Sequence, residues 1–312
     1  MEITADKTLA LIEKSIREDN GKRFKELEQQ ILPTMHDAYK ADKAGGLRDH
    51  LGASILGEPC KRKVWFNFRG FNQSNIDARM IRLFNRGHLE EARFHAVLQA
   101  SGIRTFWEHN GRQYGYRQGM FAGSIDGLAL NVPECPNELV MLEFKTMNDS
   151  RFKQFLSRGL DNFQGYYNQC LINMKCMNEL AKEQLESVIQ SDTIPAEVNH
   201  TLFVAVNKNT DEIHAVLIQR DDDVAQRFIQ TIAEILDNEI PAPLHESPKY
   251  FDCKLCSFKK YCFEEAVFPQ NCRLCQAHLY TDDSDSCVFD FKECTEKCFI
   301  PFASQIKFSL VE

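Results

Sequence analysis

Apolar residues recur along the first thirty positions at the spacing of one helix face. Leu9, Ile12 and Ile16, then Phe24, Leu27 and Ile31, stand three or four apart with charges between them. That spacing predicts one or two amphipathic helices over residues 6–31. Pro33 and the stretch 41–46 then read as a linker. Another helix is predicted over 79–100, with Met80, Leu83, Phe84, Val97 and Leu98 as apolar members and Gly102 as its stop. The pattern then changes, and segments 103–108, 119–130 and 139–146 read as strands. Pro133 and Pro136 mark the last connection as a long hairpin. A helical stretch follows over 149–186, with a break expected at Gly159 or Gly165. Strands at 201–206 and 212–219 flank a turn, and a helix over 224–237 turns Phe228, Ile229, Ile232, Ile235 and Leu236 inward. Pro241, Pro243 and Pro248 end regular structure. This order predicts an α/β fold with a mixed central sheet flanked by helices.

The chain has 312 residues and is 43% hydrophobic, which excludes global disorder and allows one large domain or two. Its longest apolar runs, such as 202–206, are a few residues long. A membrane helix needs about 20, so no membrane contact is expected. Residues 1–6 lack the basic and apolar regions of a secretory signal, which points to the cytoplasm. Net charge is −8, but residues 48–117 carry twelve Lys/Arg against six Asp/Glu, a local +6 that leaves −14 elsewhere. A basic segment on an acidic chain suits a phosphate-binding groove, and equally well a set of solvated faces. Within it, Lys61-Arg62-Lys63 with Trp65, Phe66 and Phe68 reads either as a DNA-end funnel with stacking surfaces or as core.

Gly123-Ser124-Ile125-Asp126 and Glu143-Phe144-Lys145 carry the most chemistry. Residues two apart in a strand share a face, so Glu143 and Lys145 point one way while Leu142 and Phe144 point to the core. Asp126 lies on the preceding strand, which is expected to pair with this one. Two converging carboxylates suit Mg²⁺ or Mn²⁺, which would lower the pKa of a bound water and stabilise charge on a phosphate oxygen. Lys145 can orient or deprotonate that water, or neutralise the phosphate.

These residues resemble the PD-(D/E)XK nuclease superfamily. The likeness is greatest to RecB-type exonucleases, including the iron–sulfur nucleases of CRISPR adaptation and of AddB, and to phage recombination exonucleases. In that family a helix before the sheet carries G-x-x-x-(H/E), whose last residue is a metal ligand. Arg86-Gly87-His88-Leu89-Glu90-Glu91 places Glu91 there, with His88 and Glu90 as alternatives. The family's Gln-x-x-x-Tyr motif implies a site role for Gln169, but Asn173 stands where the Tyr is expected. Tyr166 or Tyr167 is then left to supply the aromatic ring. Arg151 and Lys153 follow the motif strand, where such enzymes contact the DNA backbone.

Eight of the twelve cysteines fall between Cys253 and Cys298, a clustering that favours metal binding. Cys253, Cys256 and Cys262 form C-x2-C-x5-C, and Cys60 is the best fourth ligand. This layout resembles the [4Fe–4S] staple of AddB and the CRISPR nucleases; Zn²⁺ suits the same four thiolates. Cys272, Cys275, His278 and Cys287 form C-x2-C-x2-H-x8-C, plausible tetrahedral ligands for Zn²⁺ in the tail, with Cys294 and Cys298 as substitutes. Cys135, Cys170 and Cys176 have no metal spacing, and the last two read as core. The chain lacks the radical-SAM spacing C-x3-C-x2-C and a P-loop.

The resemblance divides the chain into a helical extension (1–47), a nuclease domain closed by the cysteine cluster (48–262) and a zinc-binding tail (263–312). It implies a metal-dependent DNA exonuclease acting on linear ends in phage or bacterial recombination, repair or DNA processing. A recombinase or another DNA-processing protein is an expected partner, and a homo-oligomer is compatible. Endonuclease activity, a non-catalytic DNA-binding module and a cluster-based redox or metal-sensing regulator are the competing readings.

Overall fold

The structure, a computed structural model, describes residues 1–35, 50–71, 78–189, 194–237, 239–264, 266–269, 271–274, 278–280 and 285–287. The chain divides into two compact units, each built from separate stretches. The first is Met1–Ala44, Ile76–Tyr116 and Gly123–Gln226; the second is Gly45–Asn75, Arg117–Ala122 and Arg227–Glu312.

In the first unit, the longer helices are α1 (Asp6–Glu18), α2 (Lys22–Ile31), α3 (Ala78–Ala100), α4 (Asp149–Arg158) and α5 (Gln164–Leu180). Six strands form its sheet: β1 (Glu2–Thr4), β2 (Arg104–Phe106), β3 (Gly127–Leu130), β4 (Leu139–Met147), β5 (Val198–Asn207) and β6 (Ile213–Gln219). Their order is β1-β6-β5-β4-β3-β2. β4 and β5 run parallel, and the other described neighbours run antiparallel, so the sheet is mixed. A parallel pair needs a crossover, and α4 and α5 lie in it. β4 is central, and Leu139 to Leu142 are all fully buried, as expected of a strand covered on both faces.

On one face Val140, Leu142 and Phe144 join Leu202, Val204 and Val206 of β5, Phe94, Val97 and Leu98 of α3, and Ala5 and Ile12. Fully burying each such side chain stabilises by about 1.5–3 kcal/mol. The N-terminal segment is therefore not an appendage. β1 pairs with β6, Ala5 donates to the Ala215 carbonyl at 3.0 Å, and α1 contributes to the core.

Three expectations change. The segment expected as one strand over 119–130 is two, Phe121–Ser124 and β3, separated at Ile125 and Asp126. The helical stretch over 149–186 breaks at Gly159, not at Gly165, which lies within α5. Gly159 has φ +55°, and a Cβ there would meet Glu2 Oε1, the oxygen that accepts the Leu160 N–H at 2.9 Å. The helix over 224–237 is two, Asp222–Ile229 and Ile232–Leu236. Among the described residues no helix is long and apolar enough to cross a membrane.

In the second unit, the helix Lys61–Phe68 follows Cys60. Its Trp65, Phe66 and Phe68 are buried, and Trp65 Nε1 donates to the Asp237 carbonyl at 3.0 Å. These rings belong to the core, so the stacking-funnel reading of them is corrected. Lys61 pairs with Glu234 and Lys63 with Glu58, each at 2.7 Å. Arg69 is fully buried and donates to the carbonyls of Arg273, Leu236 and Asp237. In the tail, the short strands His278–Tyr280 and Asp285–Cys287 pair antiparallel, with His278 opposite Cys287. Cys272 opens a short 3-10 turn. Cys275, Cys294, Cys298 and the linker 41–46 lie outside the described residues.

Candidate active site

Alternation along β4 sends Phe144 toward α3 and turns Glu143 and Lys145 away from it. Phe144 stacks on Phe94, with ring centroids 4.6 Å apart. On the other face, α5 places Gln169 over Glu143. The Glu143 carboxylate is 1% exposed, and its Oε1 accepts from Gln169 Nε2 at 3.0 Å and from the Lys145 ammonium. Its Oε2 is also buried and has no hydrogen-bond partner.

The break before β3 brings in Asp126. Gly127 pairs with Leu142, and continuing that register would set Ile125 opposite Phe144. Instead Asp126 Oδ2 accepts the Phe144 N–H at 2.6 Å, while the Ile125 carbonyl accepts from Gln113 Nε2 at 3.2 Å. The side chain thus replaces a ladder acceptor and holds the carboxylate beside β4.

His95 of α3 fixes this residue from behind. Its ring is fully buried, and Nε2 donates to the Asp126 carbonyl at 3.0 Å. Burial pushes its pKa down to about 4, so the ring is neutral near pH 7. Trp107 and Phe144 pack on it, 5.1 Å away between centroids. His88 and His95 are seven apart, so they share a helix face, and Glu91 lies between them near that face. His88 is close enough to Asp126 for its charge to favour the ionised carboxylate. Glu90 instead turns to Arg93 Nη1, at 3.0 and 3.2 Å.

The electrostatics follow from burial and from two like charges. Burial and the neighbouring Asp126 push Glu143 up to about 7, against the pull of Lys145 and Gln169. Burial also raises Asp126, against Lys145 and the Phe144 N–H. Burial alone would lower Lys145, but the two carboxylates outweigh it and hold the ammonium well above its ordinary value.

Tyr166 supplies an aromatic neighbour, its ring centroid 5.2 Å from Lys145 Nζ. Arg151 donates to the Tyr166 hydroxyl at 3.3 Å, while Lys153 pairs with Asp149 at 2.8 Å. Asn173 accepts the Tyr116 hydroxyl at 2.8 Å, so Tyr116 brings a phenol beside the position where the Gln-x-x-x-Tyr pattern would carry one. Cys170 and Cys176 are buried.

In the second unit, Cys60, Cys253, Cys256 and Cys262 line one cavity of about 110 Å³, with Phe66 and Phe258 in its wall. All four are free of disulfides. Burial pushes the Cys262 thiol up to about 11, although Arg62 draws it down.

No family model and no curated protein sequence matches the chain. Among solved structures, that of SSO0001 is similar at 15% identity and a TM-score of 0.38, over 78% of this chain and 97% of the other. A likeness at that level assigns neither family nor function.

Proposed function

We propose that the protein is a metal-dependent DNA exonuclease with a PD-(D/E)XK core, in which Asp126 and Glu143 hold a Mg²⁺ or Mn²⁺ ion. Glu91 or His88 of α3 is the third ligand. The observation that carries this reading is Glu143 Oε2, a buried carboxylate oxygen with no donor, near the half-buried carboxylate of Asp126. Leaving such an atom unmet costs about 1–3 kcal/mol or more. Two carboxylates raised by burial, Glu143 also by the charge of Asp126, are relieved by a cation, and hard divalent ions prefer oxygen donors. Such an ion supplies a water of lowered pKa and charge stabilisation at phosphate.

The chain's own residues divide the remaining work. Gln169 and Lys145 bind Oε1 and so leave Oε2 for a ligand. The two carboxylates favour the charged form of Lys145, which can orient the attacking water or neutralise charge on the phosphate. His95 and the Phe144 N–H position Asp126.

The four cysteines of the second unit hold a [4Fe–4S] cluster in this reading. One water or ion needs about 10–15 Å³ of such space, and the cavity offers several times more. Zn²⁺ at the same four thiolates is the alternative, since a tetrahedral sulfur set suits either. Zinc is assigned to the tail, where the strand register sets His278 opposite Cys287.

The test uses anaerobically purified protein with end-labelled linear DNA and closed circular DNA, in Mn²⁺, Mg²⁺ or EDTA. Metal-dependent shortening of the linear DNA alone, lost in Lys145→Ala, is the expected result. Nicking of the circle would replace the exonuclease by an endonuclease. No scission with any metal, and equal DNA binding by both proteins, would overturn the catalytic reading.

A further inference from the structure

Cys135 has no metal-type spacing in the sequence, yet the fold gives it two partners. Its sulfur, a Glu138 carboxylate oxygen and a His200 ring nitrogen all lie within 4.8 Å of one another. Among the described residues this is the one set of three or more such donors that close together. His200 Nδ1 and Glu138 Oε2 are 2.7 Å apart. Cys135 is buried, whereas the side chains of His200 and Glu138 are 25% and 39% exposed. The group is thus closed on the protein side and open to entry from water.

The local backbone is shaped to deliver these side chains. The hairpin between β3 and β4 turns at Asn131, with φ +66°. It is cross-braced by Cys135 N–H to the Val132 carbonyl at 2.9 Å and Glu138 N–H to the Cys135 carbonyl at 3.2 Å. Thr8 of α1 binds the intervening acid, Glu134, through both its N–H and its hydroxyl. On β5 the register slips by one residue between Val198 and His200, opposite Leu139 and Val140. A bulge of this kind re-aims side chains, and here His200 faces Glu138. Arg220 N–H fixes the bulge through the Asn199 carbonyl at 2.9 Å.

We propose that Cys135, Glu138 and His200 form a further metal site, which takes Zn²⁺ with a water completing the shell. A mixed sulfur, nitrogen and oxygen set suits a borderline transition ion rather than Mg²⁺ or Ca²⁺. Bonds of about 2.0–2.3 Å hold tetrahedral zinc donors about 3.3–3.8 Å apart, so the ion needs only a small rearrangement of side chains already gathered. It displaces the His200–Glu138 hydrogen bond and the thiol proton. Glu143 lies four residue steps along the strand from Leu139, about 13 Å of extended chain, and the two sites share no ligand. Metal here ties the hairpin to β5.

The test is metal stoichiometry on the full chain, with the other metal sites intact. Wild type, His200→Gln, Glu138→Gln and Cys135→Ser are loaded with Zn²⁺, desalted and analysed for metal. The expected result is one equivalent fewer in His200→Gln and Cys135→Ser, and at least a tenfold weaker affinity in Glu138→Gln. Cobalt loading should give a thiolate charge-transfer difference between wild type and His200→Gln. Zinc should also raise the thermal midpoint of wild type more than that of His200→Gln. If Cys135→Ser fails to fold, the partly exposed His200 position decides. Equal stoichiometry and identical cobalt spectra in wild type and His200→Gln would overturn the site and leave an ordinary ion pair beside a core cysteine.

Discussion

At the carboxylate site of the first unit, the side chains hold one another. Glu143 is bonded by Lys145 and Gln169, and Asp126 by the Phe144 N–H. At the cysteine site of the second unit, the four donors meet by lining a common cavity. Residue 60 and residues 253–262 come from opposite ends of that unit's sequence. The difference separates two uses of a metal. In the first unit, sheet pairing and helix packing support the ligands, so an ion adds chemistry to a formed scaffold. In the second, a group bound by the proposed cysteine ligands would add a further tie between distant segments that Trp65 and Arg69 already join, and its binding free energy would add to folding free energy.

The largest expected effect tests that second claim. Cys253→Ser should remove the visible absorbance of the cluster and cost more than about 5 kcal/mol of the second unit's stability, part of the 10–16 that a structural metal can supply. An unchanged unfolding curve for the colourless protein would erase the contrast. Next comes Lys145→Ala, expected to slow scission about 10²–10³-fold, the scale of losing one charge-stabilising group. Its absorbance should stay intact and its thermal midpoint should move little; lost absorbance would mean that the two sites are not separable.

Gln169→Ala should weaken Mn²⁺ binding about 10–100-fold, as for other residues that orient a ligand, with little effect on global stability. Titration calorimetry checks it, and unchanged affinity would remove Gln169 from the site. The smallest effect is a pH dependence. Glu143 rises from an ordinary 4.5 to about 7, so the folded state binds its proton more tightly than the unfolded state does. That contribution is fully present below about pH 4.5 and is lost as pH rises to about 7. Metal-free wild type should therefore lose about 1–3 kcal/mol across that window relative to Glu143→Gln. Denaturant melts with and without Mn²⁺ check the sign, and parallel curves for both proteins would show that Glu143 carries no such strain.

Much of this was legible in the sequence because it rests on periodicity. The apolar run 139–142 followed by alternating Glu143, Phe144 and Lys145 forecasts a buried strand with a polar face, and β4 is that strand. The mixed sheet follows from the order of helices and strands. The break at Asp126 was not legible, because the departure from pairing is made by a side chain replacing a backbone acceptor. His95 escaped notice because a histidine amid Phe94, Ala96 and Val97 looks like packing; only the position of the Asp126 carbonyl shows its task. β1 is three residues long, too short to carry a period. Cys135 and His200 lie in different strand-end segments and meet through a bulge, which no local spacing encodes.

The parallel β4–β5 pair also sets a timetable. Residues 148–197 separate the two strands, so the cover over Glu143 is made after the strand that bears it. Closing such a span costs entropy before its contacts repay it, which makes this pairing slow. During synthesis, β4 leaves the ribosome with β3 already made and β5 still unmade, and the edge of Leu139 to Leu142 that pairs with β5 waits open. That interval is when a chaperone has most to protect. A chain stopped before residue 198 would carry every residue of the carboxylate site but lack β5, the parallel partner of β4.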